Sequence, residues 1–317
     1  MKKFSDVFSL REVIIAACVA IGIIVLGGFV DLSLTKSVYD PINTHMFGVV
    51  LAGICELPVC ITLCFGGIGL IMGRVKTKKW LEILCIVVGI IAIGVGAYFL
   101  FDTAKDWYSF KNTESFKTGA IILGVALAIL IPAAVVLFGV FKLKNVDKRK
   151  LLIISITLLL ICITIAILSN VGKYLWSRPR PRYIFRPDIN DESLFHPIYQ
   201  LDPFGCLRDG FSGRRNYQSF PSGHTTYAST AIWLLPLSTL LFDKTKNNRI
   251  LQISLFYLGL AYAVMSGLSR VYAGAHFLSD TGAGLLVGIL GGVIAYLVMR
   301  PLSKAIEGKG ETIDENA

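Results

Sequence analysis

The sequence predicts an all-α protein, a polytopic membrane helical bundle of about eight transmembrane helices. Three observations carry this prediction: 54% of the 317 residues are hydrophobic, only 16% are charged, and the mean hydropathy is +0.67. A soluble globular domain is less apolar and carries more charge, whereas a helix that crosses the membrane needs roughly 20 apolar residues. Runs of about that length lie at residues 13–30, 47–73, 80–101, 118–141, 151–171, 226–242, 250–268 and 281–299.

Lysine and arginine in the short loops predict the orientation of the bundle, because these residues are retained on the cytoplasmic side. Loops 74–79 and 142–150 carry four and five of them, whereas loops 31–46 and 102–117 carry one and three. We therefore expect a multi-pass protein of the cell membrane with both termini in the cytoplasm. Residues 172–225 carry eight Lys or Arg on the predicted outer face, but long loops are weak topology signals.

The charge and the cysteines exclude several classes of protein. The net charge of +10 is explained by membrane orientation and by anionic lipid headgroups nearby. Since no soluble basic domain is present, we expect no nucleic-acid partner; membrane lipids are the expected partners, and the oligomeric state is left open. Six of the seven cysteines lie in apolar runs, where a thiol behaves as a small hydrophobic group. Only Cys206 lies in an outer loop, so the cysteines predict no disulfide scaffold.

Polar residues that membrane spans do not explain form three clusters, all on the predicted outer face. The first is KYLWSRPRPR (173–182), where Lys173 ends the fifth span and Arg178, Arg180 and Arg182 alternate with prolines. Alternate prolines prevent a continuing helix and extend the chain, so that the guanidinium groups project from a fixed backbone. Alone, such a cluster also fits headgroup contact or an orientation signal.

The second cluster is SFPSGHTTYAST (219–230), which leads into an apolar helical run. Ser222 is a favoured N-cap type, Gly223 lets a ligand approach the backbone, and His224 falls in the first turn. Backbone N–H groups at a helix start bind anions, so we expect those of Ser222 and Gly223 to bind a phosphate. A helix cap with an incidental histidine is the alternative interpretation.

The third cluster is SRVYAGAHFLSD (269–280). His276 and Asp280 are four residues apart, which on a helix places the carboxylate beside the imidazole. The carboxylate can then keep one ring nitrogen protonated and leave the other free as a nucleophile, and Arg270 adds a cation. The alternative is an acid and a histidine that only satisfy each other at a membrane boundary.

Together the three clusters supply the parts of one reaction. Phosphate ester cleavage needs cations for the phosphate oxygens, an in-line nucleophile and an acid for the leaving oxygen. His276, oriented by Asp280, is the candidate nucleophile, and His224 is the candidate acid. The reaction needs no metal cluster and no other cofactor. The candidate phosphate-binding residues are Lys173, Arg180, Ser222, Gly223 and Arg270.

In order and spacing, the clusters resemble the three-part signature of the type 2 phosphatidic acid phosphatase superfamily. The matching stretches are KYLWSRPRP (173–181), PSGH (221–224) and SRVYAGAHFLSD (269–280), and the resemblance covers about residues 150–300. It implies a metal-independent phosphatase with an all-helical core, usually of six helices, and a site at the non-cytoplasmic surface. It also implies a phosphohistidine on His276, with His224 protonating the leaving group.

The resemblance divides the chain into N-terminal transmembrane helices at 1–149, a phosphatase core at 150–300 and a cytoplasmic tail at 301–317. Two of the four N-terminal spans are then additional to the family core. The outer loop 182–220 is long, and its aromatic and acidic content fits a folded cap over the site; a partly ordered loop is the alternative. Glu56 is an ionisable residue in a predicted span and so a functional candidate, although the neighbouring proline favours a structural interpretation.

The leading hypothesis is hydrolysis of a phosphomonoester or diphosphate on a membrane lipid at the outer face. Phosphatidate, phosphatidylglycerophosphate and polyprenyl diphosphate all fit, and the residues do not choose among them. A lipid phosphotransferase, which passes the phosphate to another acceptor, would use the same residues. An anion transporter or channel is a remote alternative, because a pore has no need of a histidine and a carboxylate paired opposite a second histidine.

Overall fold

The computed structural model of the chain describes residues 9–40, 47–48, 51, 53–74, 78–108, 114–208, 210–241 and 249–314. All regular secondary structure in these ranges is helical, which confirms the predicted all-α class. The principal helices are α1 (Leu10–Val38), α2 (Leu57–Gly73), α3 (Lys79–Tyr108), α4 (Glu114–Leu143), α5 (Lys148–Trp176), α6 (Gly223–Ala228), α7 (Ala231–Ser238), α8 (Arg249–Tyr272) and α9 (Leu278–Asp314). Shorter helical turns occupy Pro181–Ile184, Glu192–Leu194, Gly205–Leu207, Gly210–Gly213, Arg214–Tyr217 and Thr239–Leu241.

Among the described residues, six helical segments are long and apolar enough to cross a membrane, so the chain is a multi-pass membrane protein. Each of them overlaps one of the spans predicted from hydropathy. The other two predicted spans, 47–73 and 226–242, do not form single long helices. The six segments are Leu10–Val38, Lys79–Thr103, Ile121–Leu143, Lys148–Ile184, Arg249–Tyr272 and Leu278–Ser303.

The predicted span 47–73 forms a continuous helix only from Leu57, and this helix is 17 residues long. Pro58 stands in its first turn, where the missing N–H of proline costs no hydrogen bond and its fixed φ suits a helix start. Glu56 is the N-cap residue. The acid that hydropathy placed inside a span therefore lies at the end of a helix.

The predicted span 226–242 is divided between α6 and α7 by Ser229 and Thr230, and residue 242 lies outside the described residues. The predicted tail also differs from expectation. Although Pro301 lies inside α9, the helix continues to Asp314, so most of the tail prolongs the last span; residues 315–317 lie outside the described residues.

The helices differ in where they pack. α1 packs along α9, α2 packs between α3 and α5, and α8 packs against α7 and α9. α3 and α4 make their main contacts with each other and with α2. The α3–α4 hairpin is therefore peripheral, whereas α1 and α2 belong to the bundle that holds the three sequence clusters.

Glycine allows the first helices to approach their partners closely. A Cβ atom on Gly27 of α1 would overlap the backbone nitrogen of Ser279 at the start of α9. In the same way, a Cβ atom on Gly69 of α2 would overlap the hydroxyl of Ser155 in α5. Because only glycine fits at these positions, α1 and α2 are packed tightly into the bundle rather than attached to its surface.

The helix ends that carry the sequence clusters meet at one end of the bundle. There Asp31, late in α1, accepts a hydrogen bond from Arg178, which follows α5. At the same end Glu56, which precedes α2, accepts a hydrogen bond from Thr103, late in α3. At the opposite end, Arg249 at the start of α8 lies 3.4 Å from Glu12 in the first turn of α1. The ends that meet at the clusters are those that the loop charges predict to lie on one face of the membrane.

Candidate active site

The structure brings the three sequence clusters together. Arg180 of the first cluster donates to the carbonyl of Ala275, the residue before His276 of the third. Ser222 of the second cluster donates its backbone N–H to the carbonyl of Asp280 at 2.9 Å. The rings of His224 and His276 have their centroids 6.5 Å apart. All eight predicted site residues lie in this region: His276, His224, Asp280, Lys173, Arg180, Ser222, Gly223 and Arg270.

His276 lies in the loop between α8 and α9 and is 1% exposed. Its Nδ1 lies 2.6 Å from the carbonyl oxygen of Ser219. Because a carbonyl can only accept, this contact assigns the ring proton to Nδ1 and leaves the lone pair on Nε2. The backbone N–H of His276 donates to the carbonyl of Arg270. The imidazole is thus fixed in one tautomer, with Nε2 as its nucleophilic atom.

The surroundings of His276 also keep its ring neutral. Burial lowers the pKa of His276 well below its ordinary value of 6.5, and the charges of Arg180, Arg270 and His224 lower it further. The protonated form is disfavoured because the buried ring is removed from water and lies among other cations. At neutral pH, Nε2 therefore keeps the lone pair that attack on phosphorus requires.

The four-residue spacing predicts a direct contact between Asp280 and His276, but the structure does not have this contact. His276 precedes α9, whereas Asp280 lies in its first turn. The Oδ2 atom of Asp280 accepts from the hydroxyl of Ser219 at 2.5 Å and from the N–H of Phe277 at 2.9 Å. The second bond is half of a capping box, in which an acid at the third helical position reaches back to the N-cap N–H. Asp280 is therefore linked to the imidazole through Ser219.

Arg178 and Asp31 complete this buried network, and neither of them was among the site residues predicted from the sequence. Arg178 donates to Asp280 at 2.6 Å and to Asp31 at 2.9 Å, and the three side chains are 0–2% exposed. Asp31 also accepts the backbone N–H of Ser279 at 3.0 Å. An acid near the end of a predicted span was a usable signal, but its partner is 147 residues away and no local pattern identifies it.

The second cluster differs from expectation in one respect. The hydroxyl of Ser222 accepts from the N–H of Thr225 at 3.4 Å and so caps α6. The backbone N–H of Ser222, expected to bind a phosphate, donates instead to the carbonyl of Asp280. Next to it, Gly223 makes room for a cation: a Cβ atom there would lie 3.2 Å from Nζ of Lys173. The ammonium group of Lys173 therefore lies directly against the start of α6.

We expect Gly223→Ala to raise the KM for substrate about tenfold. The added methyl group displaces the end of the Lys173 side chain by a few tenths of an ångström. Lys173 is predicted to bind phosphate, and a loss of about 1.4 kcal/mol in that charge-assisted hydrogen bond corresponds to a factor of ten. Steady-state kinetics measure it. Gly119→Ala is the matched control, because nothing lies within 4 Å of a Cβ atom at that helical glycine. An equal change in both variants would remove Lys173 from the explanation.

Arg180 is held by backbone carbonyls of two loops. Its Nε donates to Arg215 at 2.8 Å, and its two terminal nitrogens donate to Gln218 at 3.2 Å and Ala275 at 3.3 Å. Three donors in the plane of the guanidinium are fixed in this way. The group is therefore oriented beside His276, where a planar cation can bind phosphate oxygens.

Two further cations belong to the candidate site. Arg270, in the last turn of α8, is 1% exposed, and its charge acts on His276. Lys173, in the last turn of α5, lies against Gly223 and within electrostatic reach of Arg180. With Arg180, these residues give the candidate site positive charge, as binding of a phosphate dianion requires.

The second histidine faces an acid from outside the three clusters. Nε2 of His224 lies 3.9 Å from Oε1 of Glu56, and the two side chains are 16% and 12% exposed. The proline two residues after Glu56 favoured a structural interpretation of this acid. In the structure the helix start at Leu57 brings this carboxylate to the candidate acid.

The loop 182–220 packs against the site along its described residues. Phe195 makes an edge-to-face contact with Phe277, with ring centroids 5.1 Å apart. The carbonyl of His196 accepts from Nε of Arg178 at 2.6 Å, and the carbonyl of Ile198 accepts from the indole N–H of Trp176 at 2.7 Å. Through these contacts the loop covers the buried network around Arg178.

Comparison with known proteins identifies a family and several proteins to which this chain is similar. Residues 151–304 match the family model of the PAP2 superfamily. The chain is 27% identical over 146 residues to probable lipid phosphate phosphatase 4 of Arabidopsis thaliana, covering 44% of this chain and 46% of that protein. It is 26% identical over 248 residues to lipid phosphate phosphatase 1 of the same plant, covering 75% and 73%. With the undecaprenyl-diphosphatase of Sulfolobus acidocaldarius it shares 30% over 135 residues, covering 43% and 50%.

The extent of these matches differs among the relatives. The chain spans about half the length of the first and third of them and about three quarters of the second. No solved structure matches the chain significantly. The family match begins within α5, so α1 to α4 lie outside it.

Proposed function

Residues 151–304 belong to the PAP2 superfamily, so the chain is an enzyme of that phosphatase family, and we propose that it hydrolyses a phosphomonoester or diphosphate on a membrane lipid. The family match confirms the resemblance of the three sequence clusters. The proposed reaction is independent of metal ions and passes through a phosphohistidine on His276. The observation that carries the proposal is the contact of Nδ1 with the carbonyl of Ser219, which leaves Nε2 as a neutral nucleophile.

The proposed reaction has two steps. In the first, Nε2 of His276 attacks phosphorus, a P–N bond forms, and the bond from phosphorus to the leaving oxygen breaks while His224 donates a proton to that oxygen. In the second, water attacks phosphorus and gives a proton to His224, and the P–N bond breaks to release inorganic phosphate. Both histidines then return to their starting states.

The cations have a separate role in this proposal. Lys173, Arg180 and Arg270 bind the phosphate oxygens and stabilise the charge that they carry in the transition state. Arginine suits this role because its planar group can bind two oxygens at once. Asp280 and Ser219 act one step further away, since they orient His276 without touching the phosphate.

A lipid substrate is supported by the position of the site and by the names of the relatives. The site lies at the end of apolar helices, and the relatives are named for lipid phosphates and for undecaprenyl diphosphate. We assign a substrate whose tail stays in the bilayer while its headgroup enters between the starts of α6 and α9.

The proposal includes eight membrane crossings, with α2 and the α6–α7 pair as the two beyond the six long segments. At 1.5 Å per residue, the 17 residues of α2 span about 26 Å, close to the thickness of the hydrocarbon. Eight alternating crossings place the site on the outer face and both termini in the cytoplasm. The lysine-rich and arginine-rich loops 74–79 and 142–150 then lie on the cytoplasmic side, as the positive-inside rule requires.

Phosphate release from a lipid panel tests the proposed function. The purified protein in detergent, with EDTA present, is given labelled phosphatidate, phosphatidylglycerophosphate or undecaprenyl diphosphate. We expect free phosphate from at least one of them at a rate that EDTA does not change. Label found only on an acceptor lipid would identify a phosphotransferase instead, and loss of release on chelation would contradict a metal-independent reaction.

A further inference from the structure

Glu56 is an acidic residue beside the proposed proton donor, and it comes from a part of the chain that the family match does not include. Its Oε1 lies 3.9 Å from Nε2 of His224, and its Oε2 accepts from the hydroxyl of Thr103 at 3.1 Å. As the N-cap residue of α2, Glu56 is placed by the start of a helix that is packed tightly against α5. These contacts therefore fix the position of the carboxylate, unlike that of an exposed side chain.

Charged and titratable groups face Glu56 and His224 from the neighbouring helices. Lys173 of α5 is a cation that faces Glu56 and lies against Gly223, the residue before His224. His224 of α6 lies beside Glu56, and the ring of His276 faces it with the centroids 6.5 Å apart. The neutral groups within electrostatic reach of Glu56 are Tyr227 of α6 and, from the same segment as Glu56, Cys55 and Cys60. α3 contributes the hydroxyl of Thr103. An opposite charge within about 4–6 Å favours the charged form of both partners.

We propose that Glu56 is a positioning residue for His224, whose imidazole it orients and holds in the protonated form needed to protonate the leaving oxygen. This inference rests on the proposed function, in which His224 is the general acid. A carboxylate that orients and charges a catalytic histidine without touching the substrate is a known catalytic arrangement. Here it acts on the acid, whereas Asp280 and Ser219 act on the nucleophile.

The proposal assigns a role to the N-terminal helices. Glu56 precedes α2, and the hydroxyl that contacts it belongs to α3 of the peripheral hairpin. The hairpin therefore reaches the active site through Thr103, and α2 reaches it through Glu56. The part of the chain that precedes the family domain contributes to the protonation of the leaving group.

The test compares two phosphate esters that differ in their need for an acid. An alkyl ester requires protonation of its leaving oxygen, whereas p-nitrophenyl phosphate releases a stabilised phenolate without it. We expect Glu56→Gln to lower kcat for the alkyl ester about 100-fold, within the usual range for general acid catalysis, and for p-nitrophenyl phosphate less than about threefold. We also expect the alkaline limb of kcat for the alkyl ester to move to lower pH, since an imidazolium without its counter-charge loses its proton more readily.

Two further variants keep the test independent of folding. Glu12→Gln is the matched control, because Glu12 is also a buried acid beside a basic side chain, here Arg249, but lies at the opposite end of the bundle; we expect it to leave the ratio of the two rates unchanged. Thr103→Val removes the hydroxyl from Oε2 and keeps the carboxylate, and we expect the same selective loss at a smaller size. It serves in place of Glu56→Gln should that protein not fold.

Equal losses toward both esters, with an unchanged pH profile, would overturn the assignment of Glu56. Failure of the proposed function gives a different result. In that case turnover of p-nitrophenyl phosphate by the otherwise native chain would survive His276→Ala, whatever the effect at Glu56.

Discussion

We expect His276→Ala to lower phosphate release by at least about a thousandfold, because it removes the atom that we propose forms the covalent intermediate. In the structure this atom is Nε2, since Nδ1 is held by the carbonyl of Ser219. Alanine leaves that carbonyl without its partner but creates no buried charge, so we expect the variant to fold. Phosphate release in detergent and the unfolding temperature are measured on the same preparation.

A direct observation of the intermediate strengthens this experiment. Native protein quenched in alkali during turnover is expected to carry labelled phosphate that acid removes, as a phosphoramidate does, and the variant none. His196→Ala is the control histidine, because His196 accepts the hydrogen bond from Arg178 through its backbone carbonyl, which alanine retains. Equal labelling of the native protein and of the His276 variant would place the nucleophile elsewhere.

The second large effect is expected in stability. Arg178→Met is expected to lower the free energy of unfolding by about 3–5 kcal/mol, because it leaves two carboxylates buried without their cation. These are the carboxylates of Asp31 and Asp280, whose oxygens lie 2.9 and 2.6 Å from guanidinium nitrogens of Arg178. Methionine keeps much of the apolar volume, so the loss reports mainly on charge. Chemical unfolding in detergent measures it.

A cycle of variants separates this charge effect from simple disruption. Adding Asp31→Asn to Arg178→Met removes one of the uncompensated carboxylates, and we expect the double variant to recover part of the lost stability. Arg186→Met is the matched control, because Arg186 forms an equally short bond with Asp188 at 2.6 Å, but with the side chains 50% and 65% exposed. An exposed pair contributes little, so a loss as large as that of Arg178→Met would contradict the explanation.

Local patterns in the sequence were sufficient for the spans and for the parts of the site that lie close together in the chain. Six predicted spans are long apolar helices because hydropathy depends on composition over about 20 residues. Ser222 was predicted as an N-cap from its residue type and caps α6. The predicted site residues also lie in one region, since each cluster falls at a helix end and the spacing of the spans brings these ends to one face.

Long-range contacts could not be predicted in this way. The spacing of His276 and Asp280 predicts a direct contact only if both residues lie on one helix, and α9 begins two residues after the histidine. Asp31 and Glu56 were visible as acids in apolar surroundings, but their partners, Arg178 after α5 and His224 in α6, are distant in the sequence. The order of the spans along the chain also did not predict which helices are peripheral. In the structure these are α3 and α4, not the first two helices, α1 and α2.

The bond between Asp31 and the backbone of Ser279 has a consequence for the biogenesis of the protein. The two residues are 248 positions apart, so the ribosome must extend the chain by that length before the acid in α1 can meet the start of α9. Until then its carboxylate lies at the membrane without its final partners, where an unpaired charge is costly. α1 can therefore reach its final packing only after α9 has been inserted, and the loop that carries His276 takes its final shape no earlier.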